Sequence, residues 1–344
     1  MIICRTPFRV SFFGGGTDYP TWFQQNGGAV ISTTINRYCY LTVRYLPPFF
    51  EHKSRIVWGT VETVDNNDHI KHPVVRTALQ LMDMHEGVEI HYDGDLPART
   101  GLGSSSSFTV GILHALHAMK GRMIGKEELA KMAIHLEQKK LTENVGVQDQ
   151  IAAAYGGFNR IDIQTSGEFS VTPLAVRPAR LTDLQDRLVL FYTGISRIAS
   201  EVAGEQIRSI PDRQHEMRAI REMVNEAADI LNSNGPLSDF GRLLHEGWML
   251  KRSLADRISS AFIDDIYNKA RQAGAVGGKL LGAGGGGFIL FYIEPEQRQA
   301  VTAALDKFLQ VPIAFENSGS QIIFYNPDPY NTGYTEDRFT KILN

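Results

Sequence analysis

Four consecutive serines stand near the first third of the sequence, directly behind Gly101-Leu102-Gly103 and in front of an apolar helical pattern. Glycines let a backbone turn its N–H groups toward an anion, and the start of a helix adds unpaired donors and a positive dipole end. Serine hydroxyls can bind a phosphate or a phosphate-bound metal ion. The segment from Pro97 to Ser107 therefore predicts a phosphate-binding loop, whereas a flexible capping loop would explain only one or two of the serines.

A second cluster of small residues, Gly14-Gly15-Gly16-Thr17-Asp18, follows a stretch rich in strand-forming residues. Glycines at the end of a strand let a ligand approach the backbone closely, and such loops commonly carry function. The pattern predicts that Asp18 reaches a ligand. The structural alternative is an aspartate that only stabilises a turn.

A third cluster, from Gly282 to Gly287, formally satisfies the dinucleotide-binding spacing G-x-G-x-x-G. In that motif the glycines open a helix, whereas here they run into the strand pattern from Phe288 to Ile293. The Gly-Lys pairs at Gly125 and Gly278 are not followed by Ser or Thr, so a Walker A loop is excluded as well. Protein-kinase signatures are also absent from the sequence.

Other polar residues have a structural interpretation that competes with a functional one. His114 and His117 could ligate a metal, but without a third ligand nearby they are better interpreted as packed or surface histidines. Cationic side chains in the second half could reach a substrate phosphate, although a solvated helix face is at least as good an explanation. These cations are Arg197, Lys251 and Arg252.

The three clusters, in this order and at these separations, resemble the three motifs of the GHMP kinase superfamily over nearly the whole chain. Within it, the likeness is strongest to the bacterial D-glycero-D-manno-heptose 7-phosphate kinases. The residues that carry it are Arg5 to Tyr19, Gly146 to Asn159 and Gly277 to Phe288, together with the serine loop. The resemblance implies a two-domain α+β fold, with a ribosomal protein S5 domain 2-like N-terminal domain, a ferredoxin-like C-terminal domain, and the active site between them.

The resemblance also implies a role for individual residues. Asp149 matches the catalytic aspartate and Arg9 accompanies it, while Ser105 and Glu137 match ligands of Mg²⁺. ATP would be bound by Pro97, Gly101, Leu102, Gly103, Ser104, Ser105, Ser106 and Ser107. The acceptor would be bound by Arg9, Gly15, Gly16, Thr17, Asp18, Asp149, Gly284 and Gly285. Without the family, Glu137 is equally well a solvated acid beside two lysines. The structural alternative for Asp149 is an acid in the first turn of a helix, where the helix dipole favours it.

The function implied by the resemblance is ATP- and Mg²⁺-dependent phosphorylation of D-glycero-D-manno-heptose 7-phosphate at its anomeric hydroxyl, giving the 1,7-bisphosphate. The residue roles given above are sufficient for phosphoryl transfer, because this reaction needs positioning and charge neutralisation more than covalent catalysis. The alternatives are another sugar kinase of the superfamily, for L-fucose or galactose, and a binding protein that has kept the fold without turnover. A NAD-dependent dehydrogenase is a remote third alternative.

Composition limits the partners of the protein. The 344 residues include 35 Lys+Arg and 38 Asp+Glu, a formal net charge of −3, with no concentrated basic stretch, so nucleic acid and membrane surfaces are not expected partners. The two cysteines, Cys4 and Cys39, cannot form a disulfide framework or a structural zinc site. We expect a cytoplasmic location, and the sequence leaves a homodimer open.

The pattern of elements predicts mixed α+β structure with mostly antiparallel sheets. Prolines and polar residues near position 180 predict a boundary between domains at 1–180 and 181–344. Strand patterns cover Ile2 to Arg5, Arg9 to Phe13, Ala29 to Arg44, Leu188 to Tyr192 and Phe288 to Ile293. Helical patterns cover 104–120, 126–140, 147–156, 200–233, 237–257, 261–273 and 295–309.

Overall fold

A computed structural model describes residues 1–47, 49–98, 100–195 and 199–327, without the side chains of 199–201. Its strands form two sheets. They are β1 (Ile2–Phe13), β2 (Gly28–Tyr45), β3 (Ser54–Val57), β4 (Val61–Val64), β5 (Val88–Gly94), β6 (Phe158–Ile163), β7 (Phe169–Pro173), β8 (Leu188–Tyr192), β9 (Gly277–Leu280), β10 (Phe288–Tyr292), β11 (Leu309–Val311), β12 (Phe315–Glu316) and β13 (Gln321–Tyr325).

Helices of 7 to 19 residues connect and cover these strands. They are α1 (Pro20–Asn26), α2 (Pro73–Leu81), α3 (Ser104–Met119), α4 (Lys126–His135), α5 (Gln148–Tyr155), α6 (Pro178–Arg187), α7 (Ala199–Ser209), α8 (Gln214–Asn232), α9 (Ser238–Arg252), α10 (Ala261–Gln272) and α11 (Arg298–Ala304).

The first sheet is built around the long strand β2, which pairs antiparallel with β1, β5, β6 and β12. Among the described strands, the β3–β5 pair is the parallel exception. Helix α3 packs on β1 and β2. Gly111 lets it approach closely, because a Cβ there would lie 2.9 Å from Oγ1 of Thr6 on β1. The sheet thus supports the helix that begins at the serine cluster.

The second sheet has the order β11-β8-β10-β9, with antiparallel pairing throughout. In chain order this is fourth, first, third and second, which is the arrangement of a ferredoxin-like sheet. Its β10 is buried at every position, as expected for the apolar run Phe288-Ile289-Leu290-Phe291-Tyr292. The predicted two-domain α+β class is therefore confirmed.

Prolines account for several differences from the predicted elements. The predicted helix over 200–233 is two helices, because Pro211 lies in a short 3₁₀ turn, Ile210–Asp212, between α7 and α8. Helices α1, α2 and α6, which periodicity alone did not predict, each have proline in their first turn, where its missing N–H does no harm. In contrast, Pro7 does not interrupt β1, which is continuous through both predicted strands.

The end of the chain corrects the predicted division into 1–180 and 181–344. Strand β12 pairs with β2, and β13 pairs with β1 along the edge of the first sheet. Helix α8 also packs against β1 and β2, and its Val224 belongs to the same apolar core as Phe12. The first lobe therefore contains residues from beyond the predicted boundary. The second lobe is the segment from β8 to β11, and the chain then returns to the first lobe.

The interpretation of the histidines as packed or surface residues fits the position of His114. His114 lies in α3 with its Nδ1 2.9 Å from Oγ of Ser320, and burial lowers its pKa to about 4. Within the described residues, no group of three or more His, Cys, Asp or Glu side chains is placed to hold a metal ion. Nor does any helix described here combine the length and the apolar character needed to cross a membrane.

Candidate functional site

A cleft between the two lobes brings the three glycine and serine clusters together. Parts of β1, α3, α5, α7, α9 and β9 reach it, along with the loops between them. The residues that line it are Arg9, Ser11, Gly15, Gly16, Asp18, Tyr19, Gly101, Gly103, Ser104, Ser105, Ser106, Asn144, Val145, Gly146, Gln148, Asp149, Ala203, Gln206, Lys251, Lys279, Gly282 and Ala283.

The serine loop has a backbone that requires glycine. Gly101 and Gly103 both have positive φ, +87° and +72°, and a Cβ on Gly101 would lie 2.3 Å from the carbonyl oxygen of Leu281. Gly103 is the N-cap of α3, and in the described structure no side chain caps this helix end. A helix end whose N-cap residue has no capping side chain suits the binding of an anion.

Glu137 lies behind the serine loop in a short π-helical turn, Leu136–Lys140, and is fully buried. Its Oε2 accepts hydrogen bonds from Oγ of Ser106, at 2.9 Å, and from Nε2 of Gln150. Its Oε1 has no partner within the described residues. Burial raises the pKa of this carboxyl to about 7. Glu137 is therefore not a solvated helix-face acid.

This environment fits a divalent cation. A cation would supply the positive charge that the buried Glu137 carboxylate lacks, and carboxylate and hydroxyl oxygens are suitable ligands for Mg²⁺. The structure places the hydroxyl of Ser106, rather than that of Ser105, on Glu137. Ser105 is exposed one residue earlier and lines the same cleft. The pair that the geometry brings together is thus shifted by one serine from the predicted pair.

Arg9 connects the candidate catalytic acid to the serine loop. Its Nε and Nη2 donate to the two carboxylate oxygens of Asp149, both at 2.7 Å, and its Nη1 donates to the carbonyl oxygen of Gly101 at 2.7 Å. The backbone N–H of Arg9 donates to the carbonyl of Leu102. A bidentate pair of this kind fixes the plane of the carboxylate, so Asp149 is held in a set orientation beside the loop.

Asp18 lines the same cleft as the serine loop. It is 2% exposed, and its carboxylate accepts hydrogen bonds from the N–H groups of Gly16, at 2.9 Å, and Gln148, at 3.3 Å. Burial, and then the negative charge of Asp149, raise its pKa. Gly146 is needed beside it, because a Cβ there would lie 1.8 Å from Oδ2 of Asp18. The first motif and the Asp149 segment therefore interlock.

Some residues that the resemblance assigns to ligand binding make their side-chain contacts within the fold. The hydroxyl of Thr17 donates to the carbonyls of Gly14 and Ala29. The hydroxyl of Ser107 donates to the carbonyl of Pro7. Leu102 is fully buried, and Pro97 lies outside the cleft lining as an exposed residue whose carbonyl accepts from Thr100. For these four, the side chains contact the fold or lie outside the cleft lining, and their assignment to ATP or to the acceptor stays a prediction.

The third cluster approaches the cleft through different residues from those expected. Gly282 and Ala283 line it, whereas Gly284 and Gly285 pack against Ile258 of the second lobe. A Cβ on Gly284 would lie 2.7 Å from the Cα of Ile258, so this glycine permits close packing between backbones. Gly284 and Gly285 are therefore structural in this arrangement.

The cationic side chains that could bind a substrate phosphate differ in whether they reach the cleft. Lys251 lies in the cleft, with its Nζ on the carbonyl of Gly282, while Arg252 points elsewhere and pairs with Asp264 at 2.6 Å. Arg197 lies outside the described residues. Lys279 also lines the cleft and was missed. The available signal was a lysine inside the otherwise small and apolar strand Gly277–Leu280.

Two family descriptions match the chain, GHMP kinases N terminal domain at residues 69–157 and GHMP kinases C terminal at residues 215–311. The chain is 28% identical over 320 residues to D-glycero-alpha-D-manno-heptose 7-phosphate kinase of Campylobacter jejuni, covering 88% of this chain and 92% of that protein. It is 25% identical over 336 residues to galactokinase of Pyrococcus furiosus, covering 88% and 92%. A solved D-glycero-D-manno-heptose 1-phosphate kinase from Bacteroides thetaiotaomicron superposes with a TM-score of 0.72 at 25% identity, covering 93% of this chain and 98% of that one.

Proposed function

Because this chain belongs to the GHMP kinase family, whose N-terminal and C-terminal descriptions match one lobe each, we propose that it transfers the terminal phosphoryl group of ATP to a phosphorylated heptose. The acceptor that we propose is D-glycero-D-manno-heptose 7-phosphate, and the reacting group is its anomeric hydroxyl. The product is then the 1,7-bisphosphate.

The observation that carries this proposal is the position of Arg9. Its guanidinium touches the Asp149 carboxylate and the Gly101 carbonyl at the same time, at 2.7 Å each. An acceptor-side carboxylate and an anion-binding loop therefore face one cleft with a single side chain between them. A phosphoryl transfer requires this closeness, because donor and acceptor oxygens must lie in line on one phosphorus atom.

The proposed roles follow from the contacts. The loop from Gly101 to Ser106 and the start of α3 bind the phosphates of ATP. The Asp149 carboxylate accepts a hydrogen bond from the attacking hydroxyl and takes its proton as the new O–P bond forms and the bond to ADP breaks. Arg9 keeps that carboxylate oriented and brings positive charge to the reacting oxygens. Asp18 binds hydroxyl groups of the sugar.

We also propose that the enzyme uses Mg²⁺. Glu137 and Ser106 are the residues that would hold it, and Ser105, which lines the same cleft, is the hydroxyl to which the family resemblance points. Bound Mg²⁺ would neutralise charge on the phosphate oxygens of ATP. The Oε1 of Glu137, which has no hydrogen-bond partner among the residues that the structure describes, supports this assignment.

The choice of acceptor is supported by the relatives and by the cleft. The Campylobacter protein is described as acting on heptose 7-phosphate and the Bacteroides structure as acting on heptose 1-phosphate, so both descriptions name a phosphorylated heptose. The cleft contains the cationic side chains of Arg9, Lys251 and Lys279, and positive charge favours an anionic acceptor over a neutral one.

A coupled assay of ADP release tests the proposal across heptose 7-phosphate, heptose 1-phosphate, mannose, L-fucose and galactose. We expect the highest kcat/KM for heptose 7-phosphate. A higher value for galactose or L-fucose would assign the chain to the neutral-sugar kinases. An absence of ADP release with every acceptor would favour a binding protein that has kept the fold.

A further inference from the structure

Two lysines are buried in the cleft on the side of the second lobe. Lys251 comes from the last turn of α9 and Lys279 from β9, and they are only 9% and 8% exposed. The Nζ of Lys279 donates to the carbonyl oxygen of Phe12 at 2.7 Å, and that of Lys251 donates to the carbonyl oxygen of Gly282. Both side chains thus end on backbone oxygens rather than on carboxylates.

Neither lysine has an ion-pair partner within the described part of the chain, although neighbouring cations do. Arg252, the next residue after Lys251, pairs with Asp264, and Arg9 pairs with Asp149. Lysine is very seldom buried without a counter-charge, because the ammonium group loses its hydration. The carboxylates of Asp18 and Asp149 lie near enough to Lys251 to raise its pKa, but within the described residues no carboxylate forms an ion pair with either lysine, so their burial is only partly compensated.

The neighbouring cations add to the cost of burying the lysines. Burial, and then the charge of Arg9, lower the pKa of Lys251 to about 8 against the opposing effect of Asp18 and Asp149, and burial together with the charges of Lys251 and Arg9 lowers the pKa of Lys279 well below its ordinary value. A purely structural role, donating one hydrogen bond to a carbonyl, does not require three cations to lie close to one another. Their convergence on one cleft indicates a binding site for a multiply charged anion.

We propose that Lys251 and Lys279 bind the phosphate that the acceptor already carries, and so select a phosphorylated sugar over a neutral one. This inference rests on the proposed kinase function and adds the residues that determine its substrate class. The phosphates of ATP have their own donors in the serine loop and at the start of α3. Lys279 is instead anchored on Phe12, at the end of the strand that leads into Gly14 and Asp18 on the acceptor side.

Steady-state kinetics of Lys251→Met and Lys279→Met test the proposal, with heptose 7-phosphate and the unphosphorylated heptose as paired acceptors. Methionine keeps much of the length of the lysine side chain and removes its charge. We expect kcat/KM for heptose 7-phosphate to fall by about 100-fold in each variant, in the range of losing a buried charge-assisted contact. The preference for the phosphorylated acceptor should fall by at least 30-fold, while KM for ATP changes by less than about threefold.

The matched control is Lys269→Met, because Lys269 is an exposed lysine of the same lobe that pairs with Asp265 four residues earlier in α10. We expect the kinetic constants of this variant to equal those of the wild type. Thermal unfolding of all three variants checks folding. Replacing a buried charge that has no ion-pair partner among the described residues by methionine should leave Tm unchanged or raise it. With that result, a loss of activity cannot be attributed to unfolding.

Calorimetry gives a second readout that a structural role would not change. Binding of heptose 7-phosphate at pH 8.5, where its phosphate is already dianionic, should draw protons onto lysines whose pKa burial has lowered. Titrations in buffers of different ionisation enthalpy should then show net proton uptake by the wild type, and less uptake by each methionine variant. Equal uptake in the wild type and both variants would contradict the proposal.

The outcomes separate this inference from the proposed function. Equal loss of kcat/KM for both acceptors, or a rise mainly in KM for ATP, would overturn the inference and assign the lysines to the transferred phosphoryl group. A wild-type enzyme that prefers a different sugar phosphate, and loses that preference in the variants, would overturn the heptose assignment and support the inference. A wild-type enzyme that uses only neutral sugars would overturn both.

Discussion

Replacing Glu137 by glutamine should stabilise the metal-free protein at high pH, while abolishing its response to Mg²⁺. The carboxylate is fully buried, and one of its oxygens is unpartnered within the described residues. Glutamine has the same shape, and its amide oxygen can take the two donors that Oε2 now accepts, from Ser106 and Gln150. The variant therefore removes the buried charge and keeps the hydrogen bonds to the helix start.

The magnitude follows from the pKa of Glu137, which is raised from 4.5 to about 7. Because the folded state holds the proton more tightly, the contribution of Glu137 to stability is fully present below pH 4.5 and is lost as pH rises through 7. A shift of about 2.5 units corresponds to about 3 kcal/mol of stability lost above pH 7, and to about 1 kcal/mol at pH 5. The advantage of Glu137→Gln should therefore grow by about 2 kcal/mol between pH 5 and pH 8.5.

Urea unfolding of both proteins in EDTA at several pH values measures this difference, and thermal unfolding with increasing Mg²⁺ measures the metal response. Glu127→Gln is the control, because Glu127 is an exposed acid on α4 whose pair with Lys131 contributes little. Parallel stability curves for the wild type and Glu137→Gln would refute the claim that an uncompensated charge is buried there. Equal stabilisation of both proteins by Mg²⁺ would refute the metal assignment.

Three further predictions concern the reaction and its pH dependence. Asp149→Asn should lower kcat by at least about 100-fold with KM for ATP near normal, as measured by ADP release, and unchanged turnover would remove Asp149 from the mechanism. Gly282→Ala should raise KM for ATP, because its Cβ would lie 2.4 Å from the Cα of Gly101, whereas Gly59→Ala, which meets open space, should not. The value of kcat/KM for the phosphorylated acceptor should fall as pH rises through about 8, where Lys251 loses its proton, and Lys251→Arg should keep its activity above that pH.

The serine loop shows how far local sequence determines a site. Its glycines and the helix that follows it are visible in the sequence, because each is a local property of the backbone. Which serine faces Glu137 is not local. The Ser107 hydroxyl is tied to the carbonyl of Pro7, and this contact with β1 helps to set the rotation of α3 that turns Ser106 toward Glu137.

Lys279 and the end of the chain show what long-range packing adds. The contact of Lys279 with Phe12 joins residues that are 267 positions apart, so nothing near either of them in the sequence marks it. The pairing of β13 with β1 likewise depends on an edge of the first sheet that lies far from β13 in the sequence. Alternation of apolar and polar residues can identify such a strand, and it cannot say which of two sheets the strand joins.

The proposed reaction is tested most directly by the product formed from ATP and heptose 7-phosphate, followed by ³¹P NMR spectroscopy. We expect a new signal from a phosphate on the anomeric oxygen, appearing in step with ADP while the signal of the 7-phosphate is retained. The same sample with Asp149→Asn should show the new signal at least about 100-fold more slowly. ADP formation without a new sugar phosphate, or phosphorylation at any oxygen other than the anomeric one, would contradict the proposed reaction.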